Sequence, residues 1–232
     1  MSERTGSATD GLIGMLNVFV DPSTTARKVP SKWSWVWPVA VLAIAYITIA
    51  YLMMPYALQL VDSKMAERNV PAEQLQKAQA MTHTMMKYAA PISPIFAIGL
   101  LALIALLIKG LYSILGIRPR YRDVFSLLAA CALIPMLQAI ASYIVIRSKG
   151  DEITTSEQMA PPFGLDLLMP GVKGVLFAIV HFFSIFEIWY LVVLALGLAY
   201  LTHSSKSKAF FAITPAWLLP LMFAMIGALF NR

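Results

Sequence analysis

The sequence predicts an all-α integral membrane fold: a bundle of five transmembrane helices preceded by an N-terminal interfacial amphipathic helix. Three observations point there. Of 232 residues, 59% are hydrophobic and 13% charged, against roughly 45–50% and 25% in soluble domains. Five apolar stretches, near 36–58, 91–115, 124–146, 175–201 and 209–230, match the ~20 residues needed to cross about 30 Å of hydrocarbon. The Lys and Arg residues behind the net charge of +6 lie in short segments between these runs, where anionic lipid headgroups are their natural partner. The basicity therefore reads as a topology signal, with no nucleic acid implied.

The chain divides into a cytoplasmic segment, 1–35, and a five-span membrane domain, 36–232. In the first, "DGLIGMLNVFVDP" sets Leu12, Leu16, Phe19 and Val20 at helical spacing, with Asp10 as N-cap and Pro22 just beyond the end. Such a helix either lies in the cytoplasmic interface or packs on the bundle itself. Trp33, Trp35 and Trp37 then mark the start of the first span, which is too long and too far along the chain for a cleaved signal peptide. Between spans one and two, Asn69 and Pro71 open an outer-face helix leading into the second span, with Leu75, Ala78, Met81 or Thr82, and Met85 at three- and four-residue spacing. The third span contains Pro135, which cannot donate to the Cys131 carbonyl and so favours a kink. "GDEITTSEQMAPPFGLDLLMPG" is an irregular outer loop whose "FGLDLLM" can dip into the interface.

Five spans put the two ends on opposite faces. With the N-terminus cytoplasmic, ten of the 18 Lys and Arg residues fall on that face and eight on the other. The ten are packed closer to span ends, where the positive-inside bias is counted. A cytoplasmic N-terminus is the expectation.

Glu187 is the polar residue that demands explanation, because an acidic group near the middle of a span costs about 2.5–3.5 kcal/mol on insertion scales. It must be protonated, paired or hydrated. Phe183, Glu187, Tyr190, Leu194 and Gly197 share one helical stripe that points into the bundle. Gln138 of the antiparallel third span reaches the same height, roughly 21 Å above the cytoplasmic ends, with Ser142 one turn on. Tyr51 and Thr48 are rival partners. The cluster Glu187, Gln138, Ser142 and Tyr190 is thus either interhelical glue or a path for a proton, ion or lipid headgroup.

Other chemistry has little support. The single cysteine, Cys131, excludes an intramolecular disulfide. His83, His181 and His203 lack the helical spacing of a metal site; a Met/His copper(I) cluster around "MTHTMM" with Met53 and Met54 is a weaker idea, since Met is also a common apolar filler. Ser184 between His181 and Glu187 resembles a triad only in composition, because successive turns of one helix splay the three groups apart. No catalytic residue, metal or cofactor is expected.

Two stretches resemble the Yip1 family, especially its bacterial branch. In "GIRPRYRDVFSLLAACALIP" they are Gly116 closing the second span, a basic loop with an aromatic, and an apolar helix interrupted by Pro135. In "FSIFEIWYLVVLALGLAYLTHSSKSKA" they are Trp189, a Leu-rich run, Gly197 and a Ser/Lys turn. "VFVDPSTTARKVP" with "WVWP" is similar to that family's opening segment. The resemblance implies a five-span domain with a cytoplasmic N-terminus, and eukaryotic members are linked to vesicle traffic, Rab-type GTPases and membrane shaping. This chain offers only about 35 residues before the first span, fewer than those members carry, which weakens GTPase recruitment and makes a bacterial cytoplasmic (inner) membrane protein the expectation. The expected function is a non-enzymatic membrane-organising or partner-recruiting scaffold, with lipid headgroups at the basic loops and protein partners or a second copy as candidates; the alternative is a small transporter or channel near Glu187 and Gln138.

Overall fold

The computed structural model describes residues 8–29, 34–67, 72–150, 153–155 and 157–230, and of residues 8–12, 72 and 230 the backbone alone. Trp33 at the start of the first span, Asn69 and Pro71 at the helix entry, and Arg4, Lys32, Arg68 and Arg232 among the counted Lys and Arg residues lie outside the described residues, as do the side chains of Asp10 and Leu12.

The described chain is helical: α1 Ala8–Asn17, α2 Pro22–Lys28, α3 Val36–Ala66, α4 Ala72–Ile114, α5 Tyr121–Cys131, α6 Leu133–Lys149, a 3₁₀ turn Leu165–Leu168, α7 Gly174–Phe182, α8 Ile185–Leu201 and α9 Lys206–Phe230. Four segments are long and apolar enough to cross a membrane, namely α3, α4, α5 with α6, and α9; α8 is a shorter apolar helix. This is the membrane helix bundle that composition implied. Its buried centre is built from α5, the start of α6 and α8 (Leu127, Leu128, Ile134, Leu194 and Leu198), while long helices such as α4 expose Leu100, Leu103 and Leu106 outward. Apolar surface facing out and small or polar groups facing in is the packing expected where lipid is the solvent.

The structure corrects two sequence expectations. The N-terminal helix starts before Asp10, at Ala8, and Pro22 opens a second helix. Asp21 caps α2: its Oδ1 accepts from Ser23 N at 3.0 Å and Thr24 N at 3.2 Å, and Pro at N1 needs no amide partner. Met15 and Val18 are buried, whereas Leu16 and Val20 of the anticipated apolar stripe are exposed. Second, the fourth apolar stretch is two helices, α7 and α8, separated at Phe183 and Ser184. The outer-face helix leads into the second span as expected, the two forming continuous α4 with Pro91 and Pro94 inside.

The third span breaks as its proline suggests. Helix α5 ends at Cys131 and α6 begins at Leu133, two residues before Pro135. Helix α4 closes on Gly116 with φ +77°, where Ile117 N donates to Tyr112 O at 2.9 Å. That six-to-one bond defines a Schellman end, which requires a left-handed residue and so favours glycine.

Candidate functional site

The α7–α8 junction brings together Ser184, Gln138, Glu187, Trp217, Asp166 and His181. Ser184, fully buried, caps α8: its Oγ accepts from Glu187 N at 3.2 Å and donates to Gln138 Oε1 at 2.8 Å. Glu187 therefore stands in the first turn of a helix, where the amide dipoles favour negative charge, and not in the middle of a continuous span. Its Oε2 accepts from Trp217 Nε1 of α9 at 3.2 Å. The Trp217 ring is held by Phe182 and Phe183, with centroids at 4.8 and 5.8 Å.

The loop after α6 completes the break. Gly164 pairs with Ser184 in an isolated antiparallel bridge, and Ile185 N donates to Phe163 O at 3.0 Å. A Cβ on Gly164 would overlap the Phe183 carbonyl oxygen and stand 2.6 Å from Ser184 Cα, so only glycine fits. Buried Asp166 fastens the loop: Oδ1 accepts from Gly164 N at 2.8 Å and Leu167 N at 3.1 Å, and Oδ2 meets His181 Nδ1 at 2.7 Å. The Ile185 and Glu187 amides freed by interrupting the helix thus find partners inside protein, the condition for irregular backbone at membrane depth. The same 3₁₀ turn holds Leu165, Leu167, Leu168 and Met169 outward.

Gln138 meets α8 at Ser184, with Ser142 one turn further along α6. Tyr190 lies within electrostatic reach of Glu187, Cys131 and Tyr46, which makes Tyr46 the α3 residue at this cluster. Tyr51 is exposed, and Thr48 donates to Ile44 O of its own helix at 2.8 Å. His83 Nε2 lies 3.1 Å from Asp62 Oδ1, and His181 faces Asp166, away from any triad with Ser184. Among the described residues there is no group of three or more His, Cys, Asp or Glu able to hold a metal. Of the four residues at the motif positions, Trp189 stacks near Phe19 at 5.8 Å, Gly197 lies so close to Leu127 that a Cβ would be 3.0 Å from both its methyls, and Gly116 and Pro135 end or break helices as described. Asp166, Gly164 and Trp217 were invisible to sequence reasoning. The Ser184 cap was missed although it left a signal: Ser184 and Glu187 form the S-x-x-E pattern of a helix start.

A second feature lies at the other end of α8. The loop between α1 and α2 touches Trp189 through Phe19, and Arg27 of α2 sits over the Tyr200 ring at 5.3 Å. Trp189 and Tyr200 are about 16 Å apart along a helix, so α2 lies along α8. Thr25 Oγ1 ties the pair together by donating to Gly14 O at 2.8 Å. Hydrogen bonds led by the Ser23 and Thr24 hydroxyls hold the Asp21 carboxyl down to about 2. Ile13, Leu16 and Val20 point away from the bundle, Val20 at 87% exposure.

The Yip1 domain matches the chain over residues 16–228, from within α1 to the end of α9. No curated protein and no solved structure matches. With nearly the whole chain covered by that domain, and with several apolar helices arranged as a bundle, this multi-pass membrane protein belongs to the Yip1 domain family.

Proposed function

We propose that the chain is a non-enzymatic, membrane-organising protein of the bacterial cytoplasmic membrane, with its N-terminus in the cytoplasm. The observation that carries this reading is the α1–α2 pair, which is apolar on both sides. Met15 and Val18 are buried in the bundle, while Ile13, Leu16 and Val20 face outward beside it. An outward apolar face of this kind needs lipid or protein cover. Exposed Arg118 and Arg120 in the loop before α5, with Lys206 and Lys208 at the start of α9, suit anionic headgroups on the same face. The pair adds volume to one leaflet, offers a contact for a protein partner or a second copy, and fits a trafficking-related role.

Reconstitution into liposomes tests it. Wild-type protein should reduce vesicle diameter or form tubules, and Leu16→Asp with Val20→Asp should abolish that effect while thermal stability is kept. Unchanged vesicles with wild-type protein would overturn the reading.

A transport role is the second reading, favoured by the interrupted α7–α8 helix, since broken helices with polar groups at the break build substrate sites in transporters. Glu187→Gln separates the two. An amide oxygen still accepts from Trp217, so a scaffold keeps its vesicle effect; a proton- or cation-coupled path would lose flux.

A further inference from the structure

A groove of about 520 Å³ runs between α3 and α6, lined by Val41, Ile44, Ala45, Ile49, Leu52 and Ile140, with Tyr143 at one end. Its length along α3, Val41 to Leu52, is about 16 Å, close to half of the ~30 Å hydrocarbon thickness. The lining is β-branched and Leu side chains with a single alanine. Close approach of a second helix needs small residues on the facing surface, so this groove suits a flexible chain better than a helix. Thr48, the hydroxyl within it, is already spent on Ile44 O.

Charge sits at the Tyr143 end. Arg147, exposed in the last turn of α6, donates from Nη1 to Tyr143 Oη at 2.7 Å, with its guanidinium 6.0 Å from the ring centre. That bond uses one of five guanidinium donors, and Tyr143, acting as acceptor, retains its own proton to donate. Gly150 ends α6 three residues on, which places Arg147 at headgroup level. A fork of donors at the mouth of an apolar groove one leaflet long matches a phosphate joined to an acyl chain.

We propose that the α3–α6 groove binds one acyl chain of an anionic phospholipid whose phosphate is held by Arg147 and Tyr143. Native mass spectrometry of the full-length protein, delipidated in mild detergent and titrated with phosphatidylglycerol or phosphatidylcholine, tests it. Wild-type protein should take up one phosphatidylglycerol about tenfold more readily than phosphatidylcholine, a difference of about 1.4 kcal/mol. Arg147→Gln, at an exposed helix end where folding is not at stake, should erase that preference. Ile140→Trp, and independently Ala45→Phe, should fill the groove and remove the bound lipid of either kind. Equal uptake of the two lipids by wild-type protein, or a lipid retained in both groove-filling variants, would overturn the proposal. So would a wild-type dimer that Arg147→Gln leaves intact and the groove-filling variants dissociate, since the groove would then hold a second copy.

Discussion

Helix α4 and the α7–α8 segment make an instructive pair. Helix α4 runs 43 residues without interruption although Pro91 and Pro94 lie inside it; the fourth apolar stretch breaks at Phe183–Ser184, with no proline between Gly174 and Leu201. A proline deletes one amide, and a helix survives if the carbonyl it frees is met elsewhere. Pro94 frees the Ala90 carbonyl, and Ser93 Oγ donates to that oxygen at 2.8 Å. At the junction the opposite holds: the Phe163 carbonyl takes the Ile185 amide, the Ser184 hydroxyl takes the Glu187 amide, and Gln138 in turn accepts from that hydroxyl, so leaving the helix is rewarded. What decides continuity is where the backbone groups find partners.

The largest effect is expected from the contact that only glycine allows. Gly164→Val forces its side chain into the Phe183 carbonyl and should cost several kcal/mol, in the range reserved for overpacking and strain. Cys131, the single and fully buried thiol, gives the readout: its labelling by a thiol-reactive dye should begin at much lower temperature. An unchanged labelling midpoint would mean that the bridge to Ser184 is not what holds the break.

Next comes the cap. Ser184→Ala removes a donor to Gln138 and an acceptor for Glu187 N, at roughly 1–3 kcal/mol for buried groups left unsatisfied. Gln138→Leu in the same background should cost little more, because the two losses are one interaction. Additive shifts of the labelling midpoint would break the pairing. On the other side of the comparison, Ser93→Ala should cost about 1 kcal/mol in wild-type protein and almost nothing in Pro94→Ala, where the restored amide bonds Ala90 O. An equal cost in both backgrounds would refute the account of α4's continuity.

The bundle was legible in the sequence because hydropathy is summed over many residues: each of the five apolar stretches is helical. The junction was not, because α7 and α8 read as one apolar run in which Ser184 and Glu187 looked like isolated polar residues. Counting 1.5 Å per residue along an unbroken helix found the correct pair of helices but not the contact, and Gln138 reaches α8 at Ser184. Asp166 lies in a loop with no periodic signal, and its three partners come together only in the folded chain. At the N-terminus the pattern of Leu16, Phe19 and Val20 marked apolar residues correctly and left open whether they meet the bundle or the interface, since an amphipathic count cannot say which apolar face meets protein and which meets lipid; Leu16 and Val20 face outward. Pro22 was taken as a helix end because Pro serves both ends; Asp21 before it marks a start.

The cap of α2 supplies the smallest effect and sharpens the contrast between helix starts. Ser184 is buried and neutral, so its cap is insensitive to pH; Asp21 is solvent-exposed and charged. Its pKa is lowered from 3.8 to about 2 by hydrogen bonds from the Ser23 and Thr24 hydroxyls and amides. A group whose folded pKa is depressed stabilises fully above its unfolded value and loses that contribution as pH falls through the folded one. The α2 cap should therefore hold its strength down to about pH 4 and weaken from there towards pH 2. Asp21→Asn retains an oxygen to accept the amides but cannot titrate. The difference in unfolding midpoint between wild-type and Asp21→Asn protein should be flat at higher pH and shrink below pH 4 or so, while the midpoint difference for Ser184→Ala stays constant across the same range. A difference at Asp21 that already falls near neutral pH would mean that another acid, and not this cap, governs the N-terminal pair.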